Sequence, residues 1–274
     1  MNFKAETLPN SMQPYLEKIS ATIQPTVTMQ LTANDNLSVW QSKVGGAPYL
    51  PLDATYPVDS NGKPLALLAQ LNFAEIPSLP NFPDQGILQF YIAADDLYGM
   101  NFDDQQQQSG FKVLYFDQVI ADASQLKQDF AEVQLGEDDY LPFTGQYSIE
   151  FALSTQPISL GDFAFAPKIL GVADLYDFED QFDGGDFEDD FIEPYDEVAS
   201  ASGHRLGGYP YFTQTDPRQY NEKVQDYMLL FQLDTDDAEN EIMWGDSGVG
   251  NFFIHPEDLK KRDFSKVLYN WDCC

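Results

Sequence analysis

Apolar and polar positions along this chain fall into short blocks with the period of strands, and only a few stretches carry the period of a helix. Thr26-Val27-Thr28-Met29-Gln30-Leu31-Thr32 alternates strictly and is rich in β-branched residues, which predicts a half-buried strand. Leu67-Leu68-Ala69-Gln70-Leu71 and Leu229-Leu230-Phe231-Gln232-Leu233 are nearly continuous apolar runs and read as buried strands. Gly86–Ile92 and Gly248–Ile254 predict a second strand after each, and Val113-Leu114-Tyr115 and Val267-Leu268-Tyr269 a third. Successive strands this short, joined by short loops, pair antiparallel. Tyr147–Thr155 reads as a further strand, equivalent to Thr26–Thr32. Helical spacing predicts a helix over Asn10–Gln24, with Ser11 as its cap, Tyr15, Leu16, Ile19 and Ile23 on its apolar side and Pro25 as its stop, and a second over Ser124–Leu135.

These blocks recur at one offset. Laying residues 42–97 over 204–259 without gaps gives fourteen identical pairs, where average residue usage gives roughly three. Gly45-Gly46-Ala47-Pro48-Tyr49 falls on Gly207-Gly208-Tyr209-Pro210-Tyr211, and Gly86 through Leu97 on Gly248 through Leu259. A fixed-offset match of this length implies one structural unit used twice. The expected fold is α+β, antiparallel and β-rich, with an internal duplication and a pseudo-two-fold relation. It is one domain over residues 1–274, with copies at about 26–120 and 147–274. The Gly-Gly-x-Pro-Tyr blocks predict loops with positive-φ glycines. The second copy carries an extra helical, acidic segment at about 170–200. There Phe178, Phe182, Phe187 and Phe191 are spaced to give one apolar edge on each side of Gly184-Gly185, as in a helical hairpin capping the sheet.

The chain has 14 Lys and Arg against 45 Asp and Glu, a formal charge of −31, densest between Asp174 and Glu197. A field of that sign repels nucleic acid and anionic membranes and attracts basic proteins. With 21 Phe, 15 Tyr and 3 Trp the chain has ample material for a core. No stretch approaches the roughly 20 apolar residues of a membrane span, and the first thirty residues show no signal pattern, so a cytoplasmic protein is expected. Cys273 and Cys274, adjacent, read as reduced thiols.

Several uncommon clusters occur here in one order: Gln41 through Pro51, Gly62-Lys63-Pro64-Leu65 leading to Ala69-Gln70-Leu71, His204 through Pro210, Trp244-Gly245-Asp246-Ser247-Gly248 through Ile254, and Trp271-Asp272-Cys273. In these the chain resembles the YwqG-like family of bacterial proteins, the domain of unknown function DUF1963. That resemblance implies a soluble bacterial α+β protein with duplicated sheet elements, and brings no accepted activity, cofactor or catalytic set.

Read for chemistry, the residues offer few coherent sets. Gly245-Asp246-Ser247-Gly248 shares its letters with the nucleophile segment of chymotrypsin-like proteases, which also needs a histidine base and an orienting carboxylate. Only His204 and His255 are available, and alignment with Asp84-Gln85-Gly86 suggests a turn before a strand. Asp234-Thr235-Asp236-Asp237 alternates oxygens but lacks the Gly and terminal Glu of the helix-loop-helix calcium loop. No metal site and no cofactor are assigned. Lys43 and Arg205 precede the two Gly-Gly pairs at equivalent positions, either as structural cations or as clamps for an anion. Gln70 and Gln232, inside apolar strands, must satisfy their amides either across the core or on a ligand. Trp244 and Trp271, with Tyr49 and Tyr211, are candidates for an aromatic groove. Lys43, Gln70, His204, Arg205, Gln232, Trp244 and Asp246 are therefore the candidate ligand-binding residues. The expected function is that of a binding protein of inhibitor or immunity type for a basic partner. The alternatives are a hydrolase with a carboxylate- or Ser247-based site between the copies and a divalent-cation-binding protein.

Overall fold

The computed structural model describes residues 8–130, 133, 136, 139–236 and 240–274. Its strands are β1 (Gln24–Ala33), β2 (Lys43–Gly45), β3 (Ala66–Asn72), β4 (Ile87–Ile92), β5 (Phe111–Phe116), β6 (Gln146–Gln156), β7 (His204–Gly207), β8 (Met228–Asp234), β9 (Val249–Ile254) and β10 (Leu268–Asp272). They form one sheet in the order β10-β9-β8-β7-β1-β6-β2-β3-β4-β5, every neighbour antiparallel. The long central strands β1 and β6 pair from Gln24↔Gln156 to Ala33↔Tyr147. Their outer edges cross over in sequence, since β1 pairs with β7 and β6 with β2. Four short helices, α1 (Leu16–Ser20), α2 (Leu175–Glu179), α3 (Glu193–Ala199) and α4 (Pro256–Lys261), complete an α+β architecture among the described residues.

The bounds of β3 and β8 lie 162 positions apart, as do those of β4 and β9. Both ladders shift register at the same place, between Leu67 and Ala69 and between Leu229 and Phe231. Gly45, Gly46, Gly207 and Gly208 all have φ between 62° and 74°, as the Gly-Gly blocks require. A Cβ on Gly46 would lie 2.2 Å from Gln146 Oε1, and one on Gly208 2.6 Å from Gln156 Oε1, so close approach as well as dihedral angle selects glycine there.

The sheet curls until the inner faces of its two ends meet. Phe90 on β4 lies 4.7 Å from the Phe231 ring on β8 and 4.8 Å from Phe252 on β9, within a core that also holds Val27, Met29, Leu31, Val44 and Tyr269. Each such phenylalanine contributes about 1.5–3 kcal/mol by leaving water. The outer face is different. Lys43, Gln70 and Gln89 form one polar row across β2, β3 and β4, and Arg205, Gln232, Asn251 and Asn270 another across β7 to β10. Loops cover both rows over small apolar clusters, Leu50, Leu67 and Tyr91 on one side and Phe212, Leu229 and Phe253 on the other.

Four expectations are corrected. Among the described residues of 124–135 no helix forms: one 3-10 turn, Ala123–Gln125, ends at an extended Leu126, which is drawn into a cluster with Tyr49 and Ile87 and bridges to Pro51; residues 131, 132, 134 and 135 lie outside the described residues. The first helix is a 3-10 turn, Asn10–Tyr15, followed by α1; Pro9, not Ser11, takes the cap position, and Pro25 belongs to β1. Val113 pairs with Phe90 while Tyr269 pairs with Phe252, so the third strands correspond two positions away from the Val-Leu-Tyr alignment. The acidic segment does not cap the sheet. Phe178, Phe182, Phe187 and Phe191 pack on one another with centroids 5.2–6.2 Å apart and, with Phe165 and Tyr195, cover Met12 and Ile19 beside α1.

Candidate binding cleft beside the acidic segment

Gln70 and Gln232 are fully buried, and each amide is consumed by its own covering loop. Gln70 Oε1 accepts from Tyr49 N at 2.7 Å, and its Nε2 donates to Val39 O and Gln41 O, both at 2.8 Å. Gln232 Oε1 accepts from Tyr211 N at 2.9 Å, and its Nε2 donates to Ala201 O at 2.8 Å and Gly203 O at 2.7 Å. The two sets match partner for partner at the same offset. They bond along one side of the sheet, not across its core.

Lys43 is 1 % exposed, and its Nζ donates to Ser38 O at 2.6 Å and Ala47 O at 3.0 Å. Burial pulls its pKa down to about 8, against the attraction of Glu75. Arg205 donates to Gln156 Oε1 at 2.9 Å and to Ser202 O, and burial lowers its pKa to about 10 against Asp234. His204 Nδ1 accepts from Asp234 N at 3.0 Å, and Nε2 lies 3.5 Å from Asp236 Oδ2. Burial lowers its pKa, which keeps the ring neutral. Ser42, 162 positions earlier, does the same job: its Oγ accepts from Asn72 N at 2.9 Å.

Trp244 is fully buried in the inner core, at 5.5 Å from Tyr98 and 6.3 Å from Trp271, and Gly250 makes room for its ring. Tyr49 is fully buried over the N-terminal polar row and Tyr211 lines a cleft over the C-terminal one, so these aromatics do not share one groove. Asp246 is exposed on the turn before β9, where its carbonyl accepts from Cys274 N at 3.3 Å. Ser247 holds φ 61° beside it; its Oγ touches Met243 Sδ at 3.9 Å, while His204 and His255 bond to residues elsewhere. The structure thus brings Lys43 to Gln70, and Arg205 and His204 to the region of Gln232. With β1 and β6 between them, the two groups stand three strand spacings apart, about 14 Å.

None of the seven lines the open cleft of about 580 Å³ that lies between the acidic segment and the loop after β7. One wall carries Glu188, Ile192, Glu193, Asp196 and Glu197; the other carries Pro210, Tyr211 and Phe212, with Ser159 and Leu160 alongside. Burial raises the Asp196 carboxyl, and burial together with surrounding carboxylates raises the Tyr211 hydroxyl. From Asp174 to Glu197 the chain has twelve carboxylates and no Lys or Arg. Among the described residues no cation pairs with any of them. Among the described residues, too, no three carboxylate, imidazole or thiol groups converge to hold a metal, and no helix is long and apolar enough to cross a membrane.

The family model for the domain of unknown function DUF1963 matches residues 42–273, from the residue before β2 through β10. The chain belongs to the DUF1963 family. No curated protein matches it.

Within this DUF1963 chain, one buried constellation had escaped sequence reasoning. Arg218 is 4 % exposed and sits between Asp162 at 2.8 Å and Asp216 at 2.5 Å, with its guanidinium 4.6 Å from the Phe253 ring centre. Nη1 donates to Tyr227 O at 2.8 Å, and the two carboxylates raise the Arg218 pKa although burial opposes them. This triad pins the chain entering the acidic segment to the loop that carries Tyr211. Asp216-Pro217-Arg218, a cap before a proline-started turn, was its signal in the sequence.

Proposed function

We propose that this protein is a binding protein whose acidic segment and adjoining cleft engage a basic partner, in the manner of inhibitor or immunity-type proteins. The observation that carries the reading is the cleft itself: four carboxylates, Glu188, Glu193, Asp196 and Glu197, face an apolar wall of Pro210, Tyr211 and Phe212. Carboxylates without local cations attract lysine and arginine, and an apolar wall accepts their aliphatic stems. The separate hydrogen-bond networks of Ser247, His204 and His255 favour binding over hydrolysis. The test is a calorimetric titration with a deca-lysine peptide at low and at raised salt. Binding that weakens roughly tenfold or more as salt is raised supports the reading; no binding at low salt refutes it.

We further propose that the two strand sets descend from one duplicated unit related by a pseudo-two-fold axis. Supporting this are the matched strand bounds, the shared register shifts and the contact of Phe90 with Phe252, residues 162 positions apart. The pairing of Gln30 with Glu150 is consistent with an axis passing between β1 and β6.

A further inference from the structure

The polar row on the outer face of the C-terminal strand set ends on two asparagines that pair directly, Asn251 on β9 and Asn270 on β10. Half of each amide is committed. Asn251 Nδ2 donates to Tyr211 O at 2.8 Å, and Asn270 Oδ1 accepts from Gln105 Nε2 at 2.6 Å. The remaining atoms, Asn251 Oδ1 and Asn270 Nδ2, are buried and have no protein partner among the described residues. One is an acceptor and the other a donor. Turning either amide over would trade a made bond for a clash of like groups.

The N-terminal set shows what completes such a row. Gln89 stands where Asn251 does, and its Oε1 accepts from Tyr91 OH at 2.9 Å; Leu114, which pairs with it, has no polar side-chain atom. In the C-terminal set Phe253 takes the place of Tyr91 and brings no hydroxyl, while Asn270 brings a donor in place of leucine. We infer that a single buried water is bound between Asn251 and Asn270, accepting from Asn270 Nδ2 and donating to Asn251 Oδ1. Cross-strand partners stand about 4.5–5.5 Å apart at Cβ, which sets the two amides side by side within reach of one water. The water joins two bonded pairs into one relay, from the backbone of cleft-lining Tyr211 through Asn251 and Asn270 to Gln105, which reaches over from the N-terminal set.

A crystal structure of the full chain that places ordered water tests this without any substitution. The expected result is one water within about 3.2 Å of both atoms; direct contact between the two side chains, or an inverted amide with a new protein partner, overturns it. A second crystal, of the Asn251→Gln/Phe253→Tyr variant, installs the N-terminal chemistry. There the tyrosine hydroxyl is expected on the glutamine oxygen with the water gone, and water persisting beside that hydroxyl overturns the assignment.

Discussion

The N-terminal strand set β2–β5 and the C-terminal set β7–β10 solve the same backbone problem with the same glutamine, yet they differ in what lies above it. Tyr49 and Tyr211 are held by Gln70 and Gln232 through their amides, and by Gln89 and Asn251 through their carbonyls. Tyr49 is then buried completely, its hydroxyl accepting from Ile120 N at 2.9 Å and its ring lying against Phe116. Tyr211 instead opens onto the acidic cleft. The link between β1 and β2 spans residues 34–42, while that between β6 and β7 spans 157–203 and contains the acidic segment. The strand pattern is the same in both sets, and what distinguishes them is gathered around one tyrosine.

The largest effect should come where the sets diverge most. Arg218 Nη1 donates to Tyr227 O, and the corresponding bond in the N-terminal set runs from Tyr56 OH to Leu65 O at 2.9 Å. Arg218→Leu strands two buried carboxylates and is expected to cost about 3–5 kcal/mol, whereas Tyr56→Phe costs about 1 kcal/mol; denaturant unfolding of both variants gives the ratio. Equal losses would erase the distinction between an ionic and a neutral support. Next come the staples. Gln70→Leu and Gln232→Leu should each cost about 2–4 kcal/mol by leaving loop amides and carbonyls unpaired in the interior. Gln70 should lose slightly more, because it also accepts from Gln89 Nε2 at 2.8 Å.

Lys43 sharpens the comparison through pH. Its proton leaves near pH 8 in the folded chain, against 10.5 for the free side chain. Between those values the unfolded chain binds more protons, so stability rises with pH across that window, by up to about 3 kcal/mol. Lys43→Met should abolish that rise, as read from unfolding free energies of the two proteins at pH 7.5 and about 10. The smallest effect concerns packing. At the 162-residue offset Trp244 and Gly250 align with Phe82 and Leu88, and a Cβ on Gly250 would lie 2.4 Å from the Trp244 ring. Gly250→Ala should cost about 1–3 kcal/mol, and adding Trp244→Phe should recover part of it in a thermal melt.

Strand identity was legible because Leu-Leu-x-Gln-Leu and the blocks after Gly86 and Gly248 are apolar on both faces, as strands buried on both faces must be. The crossing of β1 to β7 and β6 to β2 was not legible, since nothing within a lone alternating strand names its partner. The segment after Ser124 carried helical spacing, but a buried slot beside Tyr49 and Ile87 claimed Leu126 and held the chain extended. Among the site residues, Gln70, Gln232, Lys43 and Arg205 stood out as polar groups in apolar surroundings, and their burial explains why; whether their partners were loop backbone or a ligand depends on a covering loop that local spacing does not describe. The carboxylates of the cleft were visible as composition. Their convergence on Tyr211 was not, because it depends on the Asp162, Arg218 and Asp216 triad, drawn from two segments more than fifty residues apart.

The most direct test compares two variants of equal net charge for binding of the deca-lysine peptide. One neutralises the cleft, with Glu188→Gln, Glu193→Gln, Asp196→Asn and Glu197→Gln; the other neutralises four exposed carboxylates of the N-terminal half, with Asp35→Asn, Asp53→Asn, Asp96→Asn and Asp103→Asn. The cleft variant is expected to lose affinity roughly tenfold more than its control at the same salt. Equal loss in both would mean that net charge alone draws the peptide and that the cleft beside Tyr211 has no part in binding.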